Sequence, residues 1–299
     1  MKKYIIIAFL AVASMQLSAQ QIPSTSQYYF NHYTMNPAAT GTSDFLPLAF
    51  SYRKMWTGID QSPSVIYFSG EMSVAKSMGA GVKFYNYSAG PLRKTGAELT
   101  YSYHIEFSPE MHLAFGLSGM FYQFHLAKSD LSFEDPNDPI QMSGEEQMIV
   151  PDVSFGTYFY GDNYFVGLSV PHLVNRNIDL KSDNILQEKQ VRHYYLFGGY
   201  DFEVNPDLKI KSSALIKFIE AGLFQVDINA LVEYRESFLG GISFRSSDAL
   251  VFQLGFKYDD IFVGYAYDLA IGSMRGNTFG SHEVFLRYNL PNFIRRGRY

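Results

Sequence analysis

Residues 98–107 read Glu-Leu-Thr-Tyr-Ser-Tyr-His-Ile-Glu-Phe, with a polar residue at every even position and a large apolar one at every odd position. Side chains of an extended strand alternate between two faces, so a period of two without a slip belongs to a strand with one apolar face. The pattern returns where Phe224, Val226, Ile228, Ala230, Val232 and Tyr234 alternate with Gln225, Asp227, Asn229, Leu231, Glu233 and Arg235. It returns again at Leu250, Phe252, Leu254, Phe256 and Tyr258. Fourteen strand-like segments can be marked, at 45–55, 64–74, 79–88, 95–107, 111–125, 152–161, 163–170, 193–204, 207–219, 223–235, 238–246, 249–258, 260–269 and 281–290. Many reach the roughly 9–11 residues that a tilted transmembrane strand needs.

A soluble sandwich would also alternate, so the connections have to decide. Those after the second, fourth, sixth, eighth, tenth and twelfth segments are tight, as at Gly161-Asp162, Asn205-Pro206 and Asp259-Asp260, whereas those after the fifth, seventh and thirteenth are long. A sandwich has no reason to keep every even-numbered connection short. An outer-membrane barrel does, with tight periplasmic turns and longer outer loops. The ninth and eleventh connections run against this pattern, being short where outer loops belong. The final segment alternates Val284, Leu286, Tyr288 and Leu290 outward with Glu283 and Arg287 inward, which suits the strand that closes the barrel. The fold class expected is therefore all-β, a transmembrane outer-membrane barrel of about fourteen antiparallel strands spanning 44–290.

Composition narrows the alternatives. Although 47% of the 299 residues are hydrophobic, the longest strictly apolar run is Ile5–Ala13, far short of the ~20 residues of a membrane helix. The 26 phenylalanines and 23 tyrosines suit the aromatic girdles of a barrel. The absence of cysteine rules out disulfides, thiolate metal sites and cysteine nucleophiles. A net charge of −5 argues against nucleic acid as a partner. At the start, Lys2 and Lys3, the apolar stretch Tyr4–Met15 and the exit Leu17-Ser18-Ala19 read as a secretory signal peptide over 1–19. Segment 20–43 is too polar and irregular for a strand and too aromatic to float free, and is expected in the periplasmic mouth or lumen, where it would plug the barrel. Arg295, Arg296 and Arg298 give 291–299 the character of a basic periplasmic tail.

Chemistry has little to stand on. Glu98, Ser102, His104 and Glu106 share one face of the fourth segment. Residues two apart on a strand are ~7 Å apart, however, so Ser102 and His104 are not expected to pair, and a hydrated lumen lining is the better reading. The histidines form no H-E-x-x-H pattern, and no P-loop or dinucleotide motif occurs, so neither catalytic residues nor a cofactor are assigned. The loop Asp130–Val150 carries Glu134, Asp135, Asp138, Glu145 and Glu146, but Pro136 and Pro139 interrupt it and no Ca²⁺-loop spacing exists; it reads as a solvated outer loop, with no metal site assigned. The loop His172–Val191 mixes both charge signs and shows no ion preference.

After the signal come Gln27-Tyr28-Tyr29-Phe30-Asn31, then Asn36-Pro37-Ala38-Ala39-Thr40-Gly41, then Arg53-Lys54-Met55-Trp56-Thr57-Gly58, and Pro63. This series resembles the PorP/SprF family, whose members open with Q-Y-x-F-N, N-P-A-x-x-G and R-x-x-W-x-G in this order; the Glu283–Tyr288 ending is similar too. Met55 departs from the family, which often has Gln there. The resemblance implies an outer-membrane protein of the type IX secretion system, with secretion components and secreted cargo such as adhesins as partners, gliding motility in some members, and Tyr28, Phe30, Asn31, Asn36, Pro37, Gly41, Arg53, Trp56, Gly58 and Pro63 as candidate partner or structural residues. Read from the residues alone, Asn36-Pro37 is a turn signal and Gly41 a site for positive φ before the first strand. Trp56 with Gly58 reads as loop packing or an interfacial anchor. The leading functional expectation is a non-catalytic type IX component that aids export or attachment of cargo. The alternatives are a diffusion channel and an outer-membrane hydrolase.

Overall fold

The computed structural model describes residues 25–127, 146–174, 177–179, 187–189, 192–220, 224–246 and 248–292. Its strands are β1 (Phe45–Lys54), β2 (Ser64–Ala75), β3 (Met78–Ala89), β4 (Leu92–Ser108), β5 (Met111–Leu126), β6 (Glu146–Tyr160), β7 (Tyr164–Val170), β8 (Asn177–Asp179), β9 (Gln187–Lys189), β10 (His193–Asn205), β11 (Leu208–Ile219), β12 (Phe224–Tyr234), β13 (Phe238–Arg245), β14 (Ala249–Tyr258), β15 (Ile261–Ala270) and β16 (Ser281–Pro291). Fourteen of them form one closed barrel in which each strand pairs antiparallel with its neighbours in the chain, and β1 pairs with β16 from Phe45↔Pro291 to Lys54↔His282. Closure matters because an open edge in lipid would leave backbone N–H and C=O groups unsatisfied, at several kcal/mol each.

The fourteen barrel strands coincide with the fourteen alternating segments, and only strand ends moved. β6 starts at Glu146, inside the stretch taken for loop, and pairs there with Leu126 of β5. The second long loop contains the small hairpin β8–β9. The even-numbered turns are tight throughout, whereas among the outer connections the third, Gly90-Pro91, joins the ninth and eleventh as a short one. No described helix is long and apolar enough to cross a membrane. The signal, most of the 130–150 loop and nearly all of the basic tail lie outside the described residues.

Alternation along the wall separates a lipid face from a lumen face. Leu99, Phe121, Phe224, Ile228 and Leu254 are exposed on the outside, while Lys83, Glu98, Asp227, Gln253 and Glu283 are buried on the inside. The contrast between Leu254 (66% exposed) and its neighbour Gln253 (2%) sets up a test. An arginine at a lipid-facing midplane site costs about 2–4 kcal/mol. Leu254→Arg should therefore cut the amount of assembled, heat-modifiable barrel far more than Gln253→Arg, and equal tolerance on gel-shift assays would contradict the assigned faces.

Candidate functional site

Residues 25–43 contribute no strand to the wall. Three 3₁₀ turns, Tyr28–Phe30, His32–Thr34 and Pro37–Ala39, carry the chain across the lumen, and their side chains meet β4, β6, β10, β12, β15 and β16. Such short turns suit the composition, since Asn31, Asn36 and Pro37 punctuate the stretch every few residues and leave no room for an α-helix.

At one end, Thr25 and Ser26 meet a group of buried wall charges. Arg53 Nη2 lies 2.6 Å from Asp268 and its Nη1 3.3 Å from Glu283, and Arg245 pairs with Asp227 at 3.2 Å and with Asp268 at 3.0 Å. The Ser26 hydroxyl donates to Asp268 at 2.8 Å and accepts from Arg245 Nη2 at 3.0 Å and from Arg53 Nη1. Its amide donates to Glu283 at 2.6 Å, and the Thr25 hydroxyl donates to the same carboxylate. Opposite charges this close satisfy one another in a site where an unpaired charge would be costly.

The aromatic residues that follow fill the middle. Tyr28 is fully buried, and its hydroxyl accepts from the amide of Asn229. The Phe30 ring packs 4.7 Å from that of Phe262 and 6.0 Å from that of Phe285, while its carbonyl accepts from Arg287 at 3.0 Å. The Tyr29 hydroxyl donates to Asp201 at 2.5 Å. Asn31 donates to the Ser69 hydroxyl at 2.9 Å. Tyr33 lies under Lys83, whose ammonium is 5.0 Å from the ring centroid and 3.0 Å from Glu98. The His32 ring packs 4.2 Å from that of Phe165, and its Nδ1 lies 2.8 Å from the Tyr158 hydroxyl.

At the other end the fit is steric. Asn36 is completely buried, its Nδ2 donating to the carbonyls of Thr157 at 2.8 Å and Leu168 at 3.3 Å, and its Oδ1 accepting from Ala38 N at 2.9 Å. Glycines on three adjacent strands make room: a Cβ at Gly116 would collide with Pro37 and Ala38, and one at Gly156 or Gly167 with the Asn36 amide. Gly41 turns the chain toward β1 at φ +77°, donates to Glu71 at 2.8 Å, and passes so near Gly79 that a Cβ would lie 2.7 Å from its Cα. Only glycine adopts this backbone there without strain.

The Ser102–His104 expectation is overturned, since Ser102 Oγ lies 3.0 Å from His104 Nε2. Both side chains lean inward onto one acceptor, the Thr40 carbonyl, which receives Ser102 Oγ–H at 2.7 Å and His104 Nε2–H at 2.9 Å. An Nε2 that donates to a carbonyl has no lone pair for a serine proton, and the Tyr160 hydroxyl, 2.9 Å away, serves Nδ1. Glu98 is paired with Lys83 and Glu106 with Lys76 at 3.3 Å, so neither carboxylate orients the imidazole. Ser102 and His104 clamp the segment, while Glu98 and Glu106 belong to ion pairs within the wall.

The remaining motif residues sit elsewhere. Trp56 opens the first outer connection at φ +48°, its amide donating to Ser281 Oγ at 3.1 Å. Gly58, at φ +92°, lies against the Phe279 ring, and the Pro63 carbonyl accepts from Met55 N at 2.8 Å. These three tie the 55–63 connection together and to residues 279–281, as loop packing requires. The motifs therefore divide: Tyr28, Phe30, Asn31, Asn36, Pro37, Gly41 and Arg53 belong to the lumen and its charges, and Trp56, Gly58 and Pro63 to the outer rim. Sequence reasoning missed the wall partners Asp268, Glu283, Asn229, Gly116, Gly156 and Gly167. Inward charge on Glu283 was legible, but which inward groups meet the segment was not.

A family model described as type IX secretion system membrane protein PorP/SprF matches residues 17–288. The chain belongs to this family. The match spans both the lumen segment and nearly the whole barrel, so the PorP/SprF motifs and the wall that receives them are parts of one unit. No curated protein sequence matches the chain. Among solved structures, the toluene transporter TbuX of Ralstonia pickettii aligns with a TM-score of 0.53 and 10% identity, covering 86% of this chain and 92% of that one. The toluene transporter TodX of P. putida aligns at 0.51 and 8%, covering 86% and 93%. A FadL homologue of Pseudomonas aeruginosa aligns at 0.50 and 10%, covering 90% and 95%. At such identities the likeness is one of fold, and it places this PorP/SprF protein among outer-membrane β-barrels.

Proposed function

We propose that this PorP/SprF barrel is a closed, non-catalytic platform that helps the type IX system export or attach cargo such as adhesins at the outer membrane. The observation that carries the reading is the use made of the family motifs, which seat a segment inside the lumen and brace the outer rim instead of lining an open path. A filled barrel offers a rigid ring in the membrane, and cargo would meet the outer loops at 126–151 and 171–192, most of which lie outside the described residues. Stable docking buries about 1,200–2,000 Å² in total, which two loops of this length and the adjoining rim can supply.

Deleting the gene should remove one or a few type IX cargo proteins from the cell surface without changing uptake of small solutes, and the tagged protein should co-purify with that cargo. Shortening the loop within 128–145 should weaken this association and leave the barrel assembled. An unchanged surface proteome together with slower solute entry would favour the alternative of a porin-like diffusion channel.

A further inference from the structure

The lumen segment is held differently at its two ends. Around Asn36–Gly41 it is locked by shape: wall glycines receive its backbone, and Asn36 reaches carbonyls of two strands. Around Thr25–Ser26 it is held by two hydroxyls, one amide and the Gln27 side chain, which donates to the Glu283 carbonyl at 3.3 Å. The charges it touches there are already paired with one another across the wall. Arg53 keeps Asp268 and Glu283, and Arg245 keeps Asp227, Asp248 and Asp268, whether or not Ser26 is present. Water can replace each bond that Thr25 and Ser26 make to this group, whereas nothing comparable fills the space that Pro37 and Ala38 leave above Gly116.

The two ends also face opposite sides of the membrane. Arg53 is the last residue but one of β1, Arg245 ends β13, Asp268 is near the end of β15 and Glu283 near the start of β16, all beside connections on the outer side. Gly41 contacts Glu71 on β2 and Gly79 on β3, close to the tight turn between these strands, on the periplasmic side. The segment thus runs inward from the outer mouth and turns into β1 at the opposite rim.

We propose that Thr25 and Ser26 form a releasable latch at the outer mouth, so that the segment peels away from the cell-surface end while Asn36–Gly41 stays seated. Release exposes Arg53, Arg245, Asp268 and Glu283 as the lining of a partial path, which makes the barrel one that can be opened from outside. This rests on the closed-lumen reading above.

The test uses the full-length protein in planar bilayers. Thr25 and Ser51 hydroxyls both donate to Glu283 Oε1, the latter at 3.2 Å, so Thr25→Cys/Ser51→Cys places two thiols beside one carboxylate oxygen in a chain with no other cysteine. Oxidised, this variant should be silent. After reduction, the same assembled molecules should open more often than the wild type, because Thr25 no longer bonds Glu283 and only Ser26 of the latch remains. Thr25→Val/Ser26→Ala should raise open probability over wild type by roughly tenfold or more, as the loss of hydrogen bonds to charged groups implies. Steady conductance from the wild type would overturn the closed-lumen reading itself. A silent wild type with a Thr25→Val/Ser26→Ala variant that stays as silent, or openings of the reduced cysteine variant undiminished by the disulfide, would overturn the latch alone.

Discussion

Replacing Arg53 by methionine should lower the stability of the folded barrel by about 3–5 kcal/mol, the usual cost of removing one partner of a buried ion pair. Arg53 is 4% exposed and bonds both Asp268 and Glu283, on β15 and β16. Asp268 would keep Arg245 at 3.0 Å. Glu283 would keep only neutral donors, the hydroxyls of Thr25 and Ser51 and the amide of Ser26. Its uncompensated charge is what the loss measures, so Arg53→Met/Glu283→Gln should recover a good part of it. The urea midpoint of unfolding in detergent, read by the gel shift of the folded form, gives the comparison. A single variant as stable as the parent would mean that water already solvates the cluster and that the ion pairs contribute little.

Much of the wall was legible because lipid imposes a simple rule. Each strand must show apolar side chains outward at every second residue, and pairs such as Leu254 beside Gln253 or Val284 beside Glu283 obey it without reference to the rest of the chain. Lumen residues obey a different rule: they need only satisfy whatever occupies the lumen, and that depends on partners distant in sequence. Ser26 finds Asp268 and Asn36 finds Leu168, separations that no local period can report. For the same reason Asn36-Pro37 looked like a turn and nothing more. It does begin a 3₁₀ turn, with the Asn36 side chain capping Ala38, but the rest of its amide is committed to β6 and β7. Ser102 and His104 misled the distance argument because it took the side chains as perpendicular to the strand. A common acceptor supplied by the segment draws them together. The glycines that receive the segment looked like ordinary strand glycines, since the backbone they admit belongs to another part of the chain.

Removing residues 20–43 should turn a silent barrel into a conducting one. The wall does not depend on the segment for closure: β1 pairs with β16 over ten residues and every barrel strand has two bonded neighbours. What the segment supplies is content. Tyr28, Tyr33, Met35, Ala38 and Ala39 are buried in the lumen, and Tyr28, Met35, Ala38 and Ala39 pack in one cluster with the inward side chains Tyr158, Phe165, Tyr195, Phe197 and Leu215. Without them, Lys83–Glu98, Lys211–Asp201 and Arg53–Asp268 would face water across an emptied lumen, where ion pairs are hydrated at little cost. A fourteen-stranded barrel is wider than the eight-stranded ones that side chains alone can fill, so conductance should rise by on the order of tenfold or more over the intact protein. Planar-bilayer recordings of the two proteins, each shown to be assembled by heat modifiability, measure the difference. Equal conductance from both would mean that the wall side chains collapse to fill the lumen by themselves, and that the segment serves assembly instead of closure.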